Sequence, residues 1–207
     1  MRVGIIGAGR LGRALGKRFS EAGHQIAFGG GVSAVDAANE IGAEAGSNRD
    51  AARFGEVVVL TVPFATIEEA LADAGSLDGK IVWSCVNALK PDFSGLVVGF
   101  ETSAAEEVAK LAPGAQIVAA IPPFAEAIAS GNLHYEGDLP PTVFVCGDDE
   151  GAKSTVTQLV TDLGAQAVDA GPLAAARLVE PAIMLIVSIA YAGLPRDVCL
   201  RMLERTG

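Results

Sequence analysis

The chain is poor in the residues from which most catalytic centres are built. Of its 207 residues only two are histidine and three are cysteine. His24 and His134 are too few for a metal constellation. Cys85, Cys146 and Cys199 are odd in number and show no CxxC or Cys/His spacing, which excludes a disulfide framework or a zinc site and leaves them as buried small hydrophobes. Positive charge is scarce too: 15 Lys and Arg stand against 25 Asp and Glu, a formal net charge of −10. With no basic run to offset it, that balance excludes nucleic acid as a partner, because phosphate backbones are bound by surplus Lys and Arg. Long apolar runs are also missing. The longest, 182–194 between Pro181 and Pro195, falls short of the roughly 20 residues needed to span a bilayer and is expected to be a buried helix or a subunit interface. A first strand is expected to start at Arg2, which leaves no room for a secretion signal ahead of it, so a cytoplasmic protein is expected.

Half of the chain is hydrophobic, 19% is charged and 25 residues are glycine, the balance of a tightly packed α/β protein. Strand-like runs are expected near Val3 to Ile6, Gln25 to Phe28, Val57 to Val62, Ile81 to Ser84, Gln116 to Ala120, Thr142 to Cys146 and Gln166 to Val168. Helical patterns alternate with them. One follows the first strand, and others are expected at Ser33 to Ile41, Ala65 to Ala74, Ser103 to Leu111, Glu150 to Leu163, Leu173 to Ala192 with Pro181 as a kink, and Arg196 to Arg205. This alternation predicts a Rossmann-like, doubly wound, mainly parallel sheet with C-terminal helices. Residues 1–171 are expected to form the dinucleotide-binding domain, and 172–207 a helical segment packing on it or on a dimer partner. The stretch Pro122 to Pro141, with four prolines and two glycines, is expected to be irregular, either a binding loop or a surface connection.

The most informative motif is Gly7-Ala8-Gly9-Arg10-Leu11-Gly12, directly behind Val3-Gly4-Ile5-Ile6 and directly ahead of a helix with the apolar face Leu11, Leu15, Phe19, Ala22. In that context the first glycine allows a tight turn, the second lets the backbone approach a pyrophosphate, and the third lets the helix pack close to the strand. An NAD site normally places Asp or Glu about 20 residues further on, for the ribose hydroxyls. Here that position is Gly29-Gly30-Gly31-Val32-Ser33. No acid is present to repel a 2′-phosphate, and the N–H groups of Gly30 and Gly31 with Ser33 offer it donors. NADP is favoured on that ground, with NAD possible because no arginine stands at the strand end. Downstream, Thr61, Val62, Pro63 and Phe64, and then Asn87, follow predicted strands on the edge where ligands of open α/β sheets bind. Ile121, Pro122 and Phe124 are candidates for the wall of a second-ring pocket, with an apolar core as the rival reading. Arg177 and Glu180 share a helical face and are expected to pair with each other. No catalytic triad, carboxylate pair or metal cluster is found.

The chain resembles the coenzyme F420-dependent NADP oxidoreductases. The likeness rests on the glycine turn, Thr61-Val62-Pro63-Phe64, Thr102-Ser103-Ala104-Ala105-Glu106, Val145-Cys146-Gly147-Asp148-Asp149, and Asp169-Ala170-Gly171-Pro172-Leu173 with Ala176-Arg177-Leu178-Val179-Glu180. The resemblance implies a homodimer in which NADP lies over the sheet, with F420 or a related flavin such as FMN against the nicotinamide and hydride passing directly between the rings. Such a reaction asks the protein for orientation and exclusion of water more than for acid–base groups. Two departures stand out. Gly30-Gly31 replaces the Ser-Arg type of pair usual in the family, and Ala119-Ala120-Ile121-Pro122-Pro123-Phe124 lacks the histidine of archaeal members. Two alternatives remain open from the residues. One is an NADPH-dependent reductase of a small carbonyl or imine, for which His134, Tyr135 and Tyr191 are the available proton donors; the other is a non-enzymatic NAD(P) sensor.

Overall fold

In the computed structural model, which describes residues 1–192 and 198–205, eight strands form one sheet. They are β1 (Arg2–Ile6), β2 (Gln25–Gly29), β3 (Glu44–Gly46), β4 (Val57–Leu60), β5 (Ile81–Ser84), β6 (Gln116–Ala120), β7 (Thr142–Gly147) and β8 (Gln166–Gly171), in the spatial order β3-β2-β1-β4-β5-β6-β7-β8. All neighbouring pairs are parallel except β6 with β7. The order reverses between β1 and β4, so the crevice outside their carboxyl ends is where this architecture takes ligands.

Helices cover both faces: α1 (Arg10–Glu21), α2 (Gly31–Ile41), α3 (Asn48–Phe54), α4 (Ile67–Ala74), α5 (Ala104–Leu111), α6 (Ala125–Ser130), α7 (Glu150–Asp162) and α8 (Ala176–Tyr191). The apolar strand runs follow from this double cover, since both faces of each central strand must be dry. Alternate residues of β4 divide accordingly. Val57 and Val59 join the core beneath α1 and α7 with Leu15, Phe19, Trp83 and Leu159, while Val58 and Leu60 join the opposite core with Leu71, Val82 and Val108.

Several expectations need correction. The segment Pro122 to Pro141 is not wholly irregular, because α6 lies within it, between Phe124 and a left-handed Gly131, and buries Ala127 and Ile128 toward α1. Two elements were missed: β3, which carries no large apolar residue, and α3, which the Ser47/Asp50 capping box announces. The helix expected over Arg196 to Arg205 begins outside the described residues, and Val198 to Arg205 is not helical. Its backbone instead meets the start of β7, with the Thr142 N–H donating to Leu200 O at 2.8 Å and the Met202 N–H to Thr142 Oγ1 at 3.0 Å.

Arg177 and Glu180 do not pair with each other. Arg177 forms a two-pronged bond to Glu106 on α5, at 2.8 and 2.6 Å, while the Glu180 carboxylate accepts from the Ala104 and Ala105 N–H groups at 2.8 and 3.1 Å. Both side chains therefore dock α8 onto the N-terminus of α5, an orientation set by the tertiary packing of two helices. The segment Leu173–Tyr191 is 19 residues long with mean hydropathy 1.9, enough by length and composition to cross a membrane. The same test is passed by core helices of soluble proteins, and here Arg177 and Glu180 tie the helix to α5.

Candidate cofactor cleft

β1 delivers the glycine turn to the carboxyl edge of the sheet at the point of reversal. Gly7 has φ 106°, a region other residues avoid, and Thr61 at the end of β4 pins the turn by donating its hydroxyl to Gly7 O at 2.6 Å. Gly9 caps α1 with no side-chain hydrogen bond, and no atom lies within 4 Å of where a Cβ would stand. A Cβ on Gly12 would overlap the Gly7 carbonyl. The first-turn N–H groups of α1 thus face open space with the positive end of the helix dipole behind them, a geometry that suits a pyrophosphate.

The edge of the sheet beside it carries no acid at the end of β2. Gly30 (φ 117°) and Gly31 (φ 49°) turn the chain into α2, and Ser33 donates to Gly30 O at 3.2 Å. A cation stands here that the sequence reading missed. Arg13, from the second turn of α1, donates to Ser33 O at 3.2 Å and to Ala8 O at 3.1 Å, and its charge is met by Glu40 at 2.5 Å and Asp36 at 3.8 Å. A cation is usual at the strand end, whereas this one comes from α1, directly after the third glycine.

Next to the glycine turn opens a cavity of ≈ 710 Å³, a size typical of small-molecule sites. The structure brings Arg10, Leu11, Thr61, Val62, Pro63, Phe64, Asn87, Ile121, Pro122 and Phe124 to its wall. Gly7, Ala8, Gly9, Gly12, Gly30, Gly31 and Ser33 lie outside it, along the turn and toward β2. The far wall was not foreseen: Phe93 from the loop after β5, Ile183, Ile186, Val187 and Tyr191 from α8, and Val198 to Leu200. Only the apolar run of α8 hinted at it.

Polar groups in the cavity are few. Asn87 donates to the main-chain oxygen of Glu180 at 3.2 Å, and its Oδ1 is buried without a partner among the described residues. Arg10 reaches Glu126 on α6 at 2.6 Å, in solvent at the rim. Cys85 is buried, and desolvation pushes its thiol well above the ordinary range, so it stays protonated and behaves as a small hydrophobe. Among the described residues no group of His, Cys, Asp and Glu is arranged to hold a metal ion.

The fold and the glycine turn define a Rossmann-type protein with the architecture of dinucleotide binding. Its relatives are more specific. Residues 2–88 match the family described as NADP oxidoreductase, coenzyme F420-dependent. The F420-dependent NADP reductase of Methanothermobacter thermautotrophicus is 26% identical over 225 residues, covering 98% of this chain and 94% of the relative. Among solved structures, a protein of an Arthrobacter species put forward as an F420-dependent NADP reductase superposes with a TM-score of 0.86 at 23% identity, covering 98% of this chain and 99% of that one. A hypothetical protein from Sinorhizobium meliloti superposes at 0.75 with 29% identity, covering 99% and 96%. The chain is thus similar to the coenzyme F420-dependent NADP oxidoreductases, over residues 2–88 by the family match and almost end to end by the curated relative.

Proposed function

We propose that the protein is an oxidoreductase that passes hydride between NADP(H) and coenzyme F420 or a related flavin. The observation that carries this reading is the placement of an open, uncapped glycine turn beside a large, mostly apolar cavity whose only acidic lining residue among those described is Glu126, at the rim. When bound, the nicotinamide supplies the hydride and the second ring accepts it. The chain's own part is to bind, orient and keep water out, which is what direct transfer between two rings requires.

On this reading Gly7 to Gly12 hold the pyrophosphate, and Gly30, Gly31 and Ser33 the adenosine end, with Arg13 supplying a cation toward a 2′-phosphate. Thr61 orients the turn, Val62, Pro63 and Phe64 wall the dinucleotide, and Asn87 Oδ1 accepts from the nicotinamide carboxamide or its ribose. Ile121, Pro122 and Phe124 face the second ring. Residues 1–171 carry the dinucleotide, and the described part of the C-terminal segment 172–207 closes the second-ring side. The protein acts in the cytoplasm as a homodimer, whose contact is the outer stripe of α8, where Leu178 and Leu185 are 70% and 59% exposed one heptad apart.

The test is titration of the protein with NADPH and NADH, followed by rapid mixing with F420 and, separately, FMN. The expected result is tighter binding of NADPH than of NADH and loss of the reduced-nicotinamide absorbance with one of the two acceptors. Tight NADPH binding with no oxidation by either acceptor would move the assignment to a small-substrate reductase or a sensor.

A further inference from the structure

The far wall of the cavity contains an aromatic pair that the hydride-transfer reading does not yet use. Phe93, in the loop after β5, and Tyr191, the last residue of α8, are 98 positions apart in the chain, yet their rings stack with centroids 4.8 Å apart and planes 15° from parallel. Both line the cavity. Both also remain open to solvent, Phe93 at 41% and Tyr191 at 59% exposure.

A pair that served only to hold the loop on α8 would be expected to be buried as a whole, because the area left exposed beyond the mutual stack forgoes the hydrophobic gain. Phe93 is in addition held at φ 56°, where a bulky residue is an outlier. Strained residues of this kind cluster at ligand clamps and active sites. The same cavity is lined by Pro63, Phe64 and the Ile121 to Phe124 run at the carboxyl edge of the sheet. Together they enclose a mostly apolar space beside the glycine turn, with an aromatic stack in its lining.

We infer that Phe93 and Tyr191 together form the stacking platform for the second substrate, selecting a planar, electron-poor fused ring over a small carbonyl or imine. The negative π faces of the phenyl and phenol rings attract such a ring in offset stacking, an interaction a saturated or compact substrate cannot make. The platform lies on α8 and its facing loop, elements other than those that carry the glycines, so it sets affinity for the second ring and leaves the dinucleotide alone. This inference rests on the hydride-transfer reading for the identity of the ring. Phe93 and Tyr191 are positioning residues that act through their ring faces, and the Tyr191 phenol has no part in the transfer.

The experiment compares Phe93→Leu and Tyr191→Leu with Phe93→Tyr and Tyr191→Phe in the full-length protein. The readouts are NADPH affinity, KM and kcat for F420 and FMN, and quenching of acceptor fluorescence on binding. Each Leu variant is expected to raise the acceptor KM about fivefold, the equivalent of one aromatic pair, and to reduce quenching. NADPH affinity, which reports a folded protein, should stay unchanged. The Tyr and Phe exchanges should keep wild-type KM and quenching. Unchanged KM and quenching in both Leu variants overturns the platform while hydride transfer stands. Loss of turnover in Tyr191→Phe overturns it as well, by making the phenol a proton donor. Quenching without turnover in wild-type protein that is reduced in both Leu variants upholds the platform and removes the hydride reading, and neither quenching nor turnover in wild-type protein removes both.

Discussion

Two glycines of one motif carry opposite constraints. Gly9 borders open space, whereas a Cβ at Gly12 meets the Gly7 carbonyl. Gly9→Val is therefore expected to leave the unfolding midpoint nearly unchanged while NADPH affinity falls at least about 100-fold, the equivalent of roughly 3 kcal/mol; unaltered affinity in titration calorimetry would sink the pyrophosphate assignment. Gly12→Ala is expected instead to destabilise the fold by about 1–3 kcal/mol, because the close packing of α1 on the turn leaves no room. Glu180 is the other residue with a measurable signature. Its burial raises the carboxyl from 4.5 to about 7, against the two N–H bonds from α5 that favour the ion. Between pH 4.5 and 7 the folded chain then holds a proton that the unfolded chain has released. Stability should fall as pH rises through that window, by about 3 kcal/mol in all. Glu180→Gln lacks this dependence, so urea melts across pH should give a flatter curve for the variant; parallel curves would remove the burial argument.

At the scale of elements, the decisive contact is α8 on α5. Ser103 caps α5, accepting from the Glu106 N–H at 3.1 Å, and Glu106 in turn takes Arg177. The Arg177 guanidinium holds the Glu106 carboxyl below its usual range, with Ser103 assisting. Because the folded value is depressed, that contribution is present above the unfolded value of 4.5 and fades as pH falls through the folded one. Since Arg177 is partly exposed, solvent screening keeps the contribution of its pairing small. Ser103→Ala should cost about 1 kcal/mol through the lost cap, and a double-mutant cycle of Glu106→Gln with Arg177→Met should show coupling at neutral pH that shrinks in acid. A coupling that does not change with pH would contradict the pairing seen here. The same contact bears on the cleft, because the Asn87 amide is held by the Glu180 main-chain oxygen.

For the whole molecule, an exposed apolar stripe of α8 remains once the sheet is covered on both sides. Leu178 and Leu185 are exposed on the helix that also supplies Ile183, Ile186, Val187 and Tyr191 to the cavity wall. If this stripe is the dimer contact, Leu178→Glu with Leu185→Glu should give a monomer by sedimentation that still binds NADPH, since the glycine turn lies on a different element. A variant that remains dimeric would move the interface elsewhere.

Much of this was legible in the chain itself. Seven of the eight strands and the glycine turn follow from local signals, because double-sided burial demands continuous apolar runs and a pyrophosphate turn demands glycine at fixed spacing. The family likeness was legible as well, from long blocks such as Asp169 to Glu180. Three things were not. β3 has three residues and no large apolar one, so only its pairing with β2 makes it a strand. The segment after Val198 carries a helical pattern but bonds to β7, a nonlocal partner. The cavity's far wall joins Phe93 to Tyr191 across 98 positions. Local spacing determines which elements form and where a phosphate can approach. Which side chains meet across the cleft depends on how α8 packs against α5, and that packing is decided by contacts between distant parts of the chain.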